Sequence, residues 1–494
     1  MENKLQILIQ EKDYKKISEL IGNSIINFDI IEQLSHEDLI NVITKDKVNE
    51  LIIYKNYAGL KQLLKEMNEL DLANIIEDLS DENRLIIFRL LPKTLASDTF
   101  VELETSTQEQ IINKLNDSEL AIVLNDLFID DMADIVEEMP ANVVKRILSQ
   151  SDTNTRAILN DILKYPQDSA GSIMTVEFVN LKPTMTISEA FEKIKKTALD
   201  KETVYTCYVT DNTKKLIGYV SVRQLLIAQD TDKIQDIMNE NVIYSHTLDD
   251  KEAVAKKLTN YGFMALPVVD EEDKLVGIIT VDDAIDVINE EVDEDISMMA
   301  AVTPSDTPYL KTNIWQIWKN RVPWLLLLMI SSTFTALIIN NYESRLSAIS
   351  TVLFACVPMI MGTGGNAGSQ VSVTVIRALA VDELETKDVL KVVWKELRAS
   401  IILGLTLGIA CFVKLMLIDN VLLQISDYTP IRSTIISMAL TLTIIVAKIV
   451  GAILPIFAKI CHLDPAVVAN PFITTIIDVV SLIIYCSLAI TILA

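Results

Sequence analysis

The stretch PFITTIIDVVSLIIY, residues 471–485, reads as one apolar helix that opens on a proline and carries a single carboxylate, Asp478, one to two turns in. Together with the residues up to Leu493 it is long enough to cross about 30 Å of hydrocarbon. Four further apolar segments precede it, at 323–340, 346–378, 392–418 and 431–460, joined by short connections. The expectation is therefore a five-helix, all-α transmembrane domain over 323–494. Trp315, Trp318 and Trp324 with Lys319 and Arg321 have the composition of an interfacial anchor in front of it. With the N-terminus inside, cytosolic flanks and loops hold Lys311, Lys319, Arg321, Lys387, Lys391, Lys395, Arg398 and Lys459, against Arg345 and Arg432 outside. That asymmetry predicts a multi-pass cell-membrane protein with a cytosolic N-terminus and an external C-terminus.

Half of all residues are hydrophobic, yet the net charge is -25. From Arg321 onward there are 11 Lys/Arg against 10 Asp/Glu, so 32 basic and 58 acidic residues precede the membrane part. Such a field disfavours nucleic acid and attracts cations, although solubility alone accounts for it equally well. The five cysteines have no CxxC spacing, and four lie in apolar segments, so a disulfide framework is not indicated. The opening MENKLQILIQEKDYKK lacks the pattern of a secretory signal. His36, His246 and His462 are dispersed and no nucleophile and base pairing is legible, so an enzyme is not expected.

Residues 1–165 read as short amphipathic helices, such as LDLANIIEDL at 70–79, and related segments recur about every 12 residues from Leu115 and Phe128. Stacked repeats of this kind predict a helical solenoid. Pro92 and Pro140 mark helix ends. From Pro166 the pattern turns to alternating strands and helices, with β-rich runs at 204–210 and 216–222 and a second copy at 265–269 and 274–279. PVVDEEDKLVGIITVDD, 267–283, gives this region a resemblance to a tandem pair of cystathionine-beta-synthase (CBS) domains, about 166–230 and 231–297. A connector, 298–322, interrupted at Pro304 and Pro308, leads to the membrane.

A carboxylate at the centre of a membrane helix costs roughly 2.5 to 3.5 kcal/mol, so it normally faces an interior or watery path. The structural alternative for Asp478 is an ion pair with Lys448 in the preceding span. Asn470, Thr474 and Thr475 add neutral oxygens, and Asp464 guards the cytosolic approach. Oxygen ligands suit a hard cation, and Mg²⁺, which keeps most of its waters, needs only one or two carboxylates. Two protomers meeting along this helix would pair theirs. In the second segment, Gly362, Gly364, Gly365 and Gly368 cluster around Asn366 and Gln370 after Pro358, which allows either close helix packing or a pore wall beside a kink.

Helical repeats, DSAGSIMT (168–175), the CBS pair, GTGGNAGSQ (362–370) and ANPFITTIID (469–478) together resemble the MgtE family of magnesium transporters. The resemblance implies a homodimeric Mg²⁺ channel closed by cytosolic Mg²⁺, with Asp478 as the pore aspartate, Asn470 a selectivity residue and Asp464 at the pore mouth. It makes the connector a plug helix. It assigns sensing to Asp130, Asp134, Asp250, Glu252, Asp283, Asp286, Glu291, Glu294 and Asp295, acids that charge patterning alone reads as a solvated face. One departure is Gly262, where the family has an acid. CBS pairs also bind adenine nucleotides such as ATP through a Ser/Thr and an Asp three residues on. Thr280 and Asp283 match; Ser221 is followed at that spacing by Gln224. Two rival readings are a proton-coupled divalent-cation transporter and a nucleotide sensor on a non-conducting anchor.

Overall fold

The computed structural model describes residues 45 and 47–493, apart from 306–308, 311, 382, 468 and 469. Residues 1–44, with the opening stretch read above, and Pro308 and Lys311 lie outside it. The chain divides into two units, one up to Ile288 and one from Asn289 onward.

In the first unit, short helices start at intervals of 12 residues: Tyr57–Leu64, Glu69–Glu77, Asp81–Leu90, Lys93–Val101, Thr105–Lys114, Asp117–Leu124, Ile129–Glu138, Ala141–Gln150 and Thr153–Ile162. The period is set by two to three turns of helix followed by a cap. Asn68 accepts from the Leu70 N–H, Asn116 and Glu119 form a reciprocal capping box, and Asp152 caps the last helix. Pro92 and Pro140 are themselves N-cap residues, each ending one helix and setting φ for the next. Alternate helices stack: Glu69–Glu77 on Lys93–Val101, that helix on Asp117–Leu124, and that one on Ala141–Gln150. A continuous core of Leu72, Ile76, Phe100, Ile112, Leu124, Met132 and Ile147 runs through the stack, which is the expected solenoid.

The α/β part holds two copies of one motif. Strands β1 (Phe178–Leu181), β2 (Thr203–Thr210) and β3 (Leu216–Ser221) form a sheet in that order, β1 parallel and β3 antiparallel to β2. Strands β4 (Ser245–His246), β5 (Ala265–Val269) and β6 (Leu275–Thr280) repeat it. Helices Ile187–Thr197 and Lys251–Tyr261 make the crossovers that parallel pairing requires. The copies are joined reciprocally: Leu216 N–H donates to Asp273 O at 3.0 Å, and Leu275 N–H to Lys214 O at 3.0 Å. The DSAGSIMT stretch belongs with the second copy rather than the first. Thr175 exchanges two backbone hydrogen bonds with Ile278, and Ala170 donates to Asp249 O. Its glycine is sterically required, because a β-carbon on Gly171 would lie 2.5 Å from the Tyr165 ring. Gly262 ends the crossover helix with φ 65, a left-handed cap that explains glycine where an acid was expected.

Among its described residues the connector, 298–322, is interrupted, as its prolines lead one to expect. Helix Val281–Met299 stops just before Ala301, whose φ is 54, and the next helix begins only at Ile314. That helix, Ile314–Ile349, then runs through Pro323 as one piece, longer than the segment read from hydropathy. Next come Thr351–Ala355, Val357–Ala380, Val389–Lys414 with a π-helical extension Leu415–Leu422, Pro430–Ile460 and Asn470–Leu493. Four of these stretches are long and apolar enough to cross a membrane. Val357–Ala380 has the length, but its GTGGNAGSQ run lowers its hydropathy, so a count of five spans is not established. Pro358 occupies the first turn of its helix, where a missing N–H costs nothing, and so introduces no mid-helix kink.

Val357–Ala380 is wedged against Pro430–Ile460 and Asn470–Leu493. At Gly368 and Gly451 two of these backbones come close together, since a β-carbon on Gly451 would lie 2.4 Å from Gly368 O. Gly451→Val is expected to separate the two backbones and destabilise the membrane unit by roughly 1–3 kcal/mol, the usual scale of overpacking. Thermal unfolding in detergent measures it.

Candidate ion pathway and acidic cluster

Asp478 is half-buried in the last helix and has no hydrogen-bond or ion-pair partner among the described residues. The glycine-rich helix supplies the facing surface. A β-carbon on Gly365 would stand 3.6 Å from Thr474 Cγ2 and 3.9 Å from Asp478 Oδ1. One on Gly364 would meet Thr443, Ser481 and Ile477, and one on Gly368 would run into Ile477. These glycines therefore let two helices close around Thr474 and Asp478, which is the packing reading of the motif. Asn366 and Gln370, one turn apart, are exposed, and Thr475 is half-buried. The hydroxyls of Ser372, Thr443 and Ser481 are buried without a hydrogen-bond partner. Their signal in the sequence, small polar residues dispersed among apolar ones, was not singled out. Asp464 is exposed and accepts from the Ala466 N–H at 2.7 Å. Asn470 is the first residue of the last helix; its side chain lies outside the described residues.

Lys448 does not pair with Asp478. Its ammonium lies 3.3 Å from the Glu396 carboxylate, with both side chains largely buried at 12% and 19% exposure. Hydropathy could not anticipate this, because Glu396 sits near the start of its span, 52 residues away. Glu396→Gln leaves the lysine charge enclosed and unneutralised, and is expected to destabilise the membrane unit by roughly 3 kcal/mol. Adding Lys448→Met should restore most of that loss in the same unfolding measurement.

In the first unit, acids of the helical repeat and of the CBS pair perturb one another. Asp130 is buried at 6% exposure; burial and then the carboxylates of Asp283, Asp131 and Glu202 hold its carboxyl well above the usual range. Asp131 is pushed up to about 7 by burial and then by Asp283, Asp282 and Glu102. Glu202 also rises to about 7, by burial and then Asp131 and Asp283, and its Oε2 is buried without a hydrogen-bond partner. Burial raises Asp283 too, against a hydrogen bond donated by the Thr280 hydroxyl at 2.5 Å. Among the described residues, however, no three acidic, His or Cys side chains stand close enough to hold a metal ion as they are.

Of the predicted sensing residues, the structure thus brings Asp130 and Asp283 together. Asp134 is exposed one turn further along the same helix, and exposed Asp286 contributes to raising Glu102. Asp131, Glu202 and Asp282 were missed, although the doublets at 130–131 and 282–283 offered a signal. Asp250 is engaged as an N-cap, accepting from Ala253 N–H at 3.0 Å, and Glu252 pairs with Lys256. Glu291, Glu294 and Asp295 lie beyond the unit boundary on helix Val281–Met299. The two nucleotide-motif pairs both act as caps: Thr280 with Asp283, and Ser221 with Gln224, whose N–H donates to the serine hydroxyl at 3.2 Å.

Comparison with known proteins agrees with this arrangement piece by piece. Residues 357–488 match the MgtE family, described as a divalent cation transporter. Residues 67–168 match the MgtE intracellular N domain, and 170–230 and 234–290 match the CBS domain. The chain is 38% identical over 435 residues to the magnesium transporter MgtE of Thermus thermophilus, covering 87% of this chain and 94% of that one. It is 31% identical over 430 residues to the magnesium transporter MgtE of Bacillus subtilis, covering 87% and 93%. A crystal structure of the cytosolic domain of the Mg²⁺ channel MgtE in complex with ATP is 35% identical and covers 49% of this chain and 99% of that one, with a TM-score of 0.47. The matched segments follow one another along this chain, the two transporters are matched over nearly their full length, and the chain belongs to the MgtE family of magnesium transporters.

Proposed function

We propose that the protein carries Mg²⁺ through the membrane past Asp478 and is closed by Mg²⁺ bound among the acids of its cytosolic region. The observation that carries the transport reading is the unpaired carboxylate of Asp478 in an apolar helix, with the alternative counter-ion, Lys448, already neutralised by Glu396. An ionised acid without a partner in such a helix is sustained by water and cations. A single carboxylate with neutral oxygens nearby suits an ion that keeps most of its water, as Mg²⁺ does. Two copies apposed beside Asp478 would give the ion two carboxylates. Asn470 stands at the cytosolic entry to the helix and Asp464 before it, in an orientation that places the N-terminus inside and the C-terminus outside.

Regulation follows from electrostatics. Asp130 and Asp131 on one side and Glu202, Asp282 and Asp283 on the other repel when ionised, and a divalent ion between them favours the compact arrangement. Asp134 and Asp286 extend this acidic field, and Glu291, Glu294 and Asp295, further along helix Val281–Met299, offer additional carboxylates for a sensing ion. An adenine nucleotide at the CBS pair would use the Thr280 hydroxyl and Asp283, so nucleotide and metal would share that carboxylate. Flux of Mg²⁺ into liposomes, with Mg²⁺ varied on the cytosolic face, tests both halves. Flux that persists at millimolar cytosolic Mg²⁺ would overturn the gating half, and absence of flux at any concentration the transport half.

A further inference from the structure

The side of the last helix turned away from the glycine-rich helix borders a groove of about 430 Å³, lined by Phe334, Leu337 and Ile338 of Ile314–Ile349 and by Thr475, Ile476, Val479 and Val480 of Asn470–Leu493. At 3.6 residues per turn, Thr474, Ile477, Asp478 and Ser481, which meet the glycines, point one way, and the four groove residues point the opposite way. The groove is thus neither part of the path at Asp478 nor the face along which two copies would pair their carboxylates. Its volume is that of a pocket for a small apolar ligand.

We infer that this groove is a binding site for one acyl chain of a bilayer lipid. Every lining side chain except Thr475 is a hydrocarbon or aromatic group. The outer wall continues into side chains on the surface, Phe334 at 65% and Leu337 at 58% exposure, and the most apolar window of Ile314–Ile349 has no buried residue. In a membrane that surface meets hydrocarbon, and an apolar recess opening onto it fills with chains rather than water. An occupied groove backs the helix that carries Asp478, so lipid seated there supports the wall of the path from behind. The inference rests on the membrane reading of this unit and not on which ion passes.

The test uses the full-length protein in vesicles of phosphatidylcholine carrying a diazirine midway along one acyl chain, with peptide mapping after illumination. Label at the groove residues is expected to exceed that at Ile402 and Leu405, exposed positions on another helix, by about tenfold, the scale on which an apolar pocket discriminates fit. Val479→Trp, and independently Leu337→Trp on the opposite wall, should remove the excess while leaving Ile402 and Leu405 labelled as before, which also reports that each variant is folded. Equal labelling of groove and reference positions would reduce the groove to bulk lipid contact and overturn the proposal. So would label that reaches the groove only on dilution to a monomer, which would assign it to a second copy. Because labelling needs no transport, its failure is distinct from failure of the magnesium reading.

Discussion

Replacing Asp478 with asparagine is expected to lower Mg²⁺ flux into liposomes on the order of 100-fold, with the variant still folded and reconstituted. The substitution keeps the size and polarity of the side chain and removes only its charge. That charge is the single unpaired one described on this face of the last helix, because Lys448 is held by Glu396 and Asp464 lies outside the helix. A unit charge about 5 Å from a divalent ion is worth about 2 kcal/mol at the dielectric of water and about 7 kcal/mol at a dielectric of about 20, and the expected factor lies near the hydrated end of that range. Asp478→Glu should recover part of the flux, since the charge returns on a longer arm beside Gly365. Undiminished flux in the asparagine variant would show that the ion passes elsewhere.

Much of this was legible before any coordinates. The 12-residue repeat showed in two segments and proved to govern helix starts from Tyr57 to Thr153, because short capped helices leave a strong local signature. The CBS strands β2, β3, β5 and β6 were visible as β-rich runs, whereas β1 and β4, of four and two residues, were too short to stand out. What escaped was non-local. The Glu396 and Lys448 partnership joins helices 52 residues apart, and the crowding of Asp131 and Glu202 with Asp283 depends on packing of the solenoid with the α/β part. The acids tied to sensing by resemblance are also not equivalent in space: Asp130 is buried, while Asp250 and Glu252 are occupied as a cap and in an ion pair. In the connector the prolines were the legible signal, since helix Val281–Met299 ends before them and the next helix begins at Ile314.

Lowering the pH should do part of the work of Mg²⁺ in the cytosolic region. Asp131 and Glu202 titrate near 7 in the folded unit and near 4 when unfolded. Between these values the folded state holds more protons, so stability falls as pH rises from about 4 through 7, and above that the full repulsion remains. Raising an isolated carboxyl from about 4 to about 7 corresponds to roughly 4 kcal/mol. Because the acids share one field, a few kcal/mol in total is the expected scale. Mg²⁺ needs the ionised carboxylates, so the thermal stabilisation it gives the full-length protein should be large at pH 8 and small at pH 6. Without Mg²⁺, protection of the cytosolic region from protease should be greater at pH 6 than at pH 8. Asp131→Asn should flatten the pH dependence and weaken the response to Mg²⁺, because it removes both a repelling charge and an oxygen donor's negative charge. Equal stabilisation by Mg²⁺ at both pH values would mean that protons and metal do not compete for this cluster, and that the sensing ion binds at other acids.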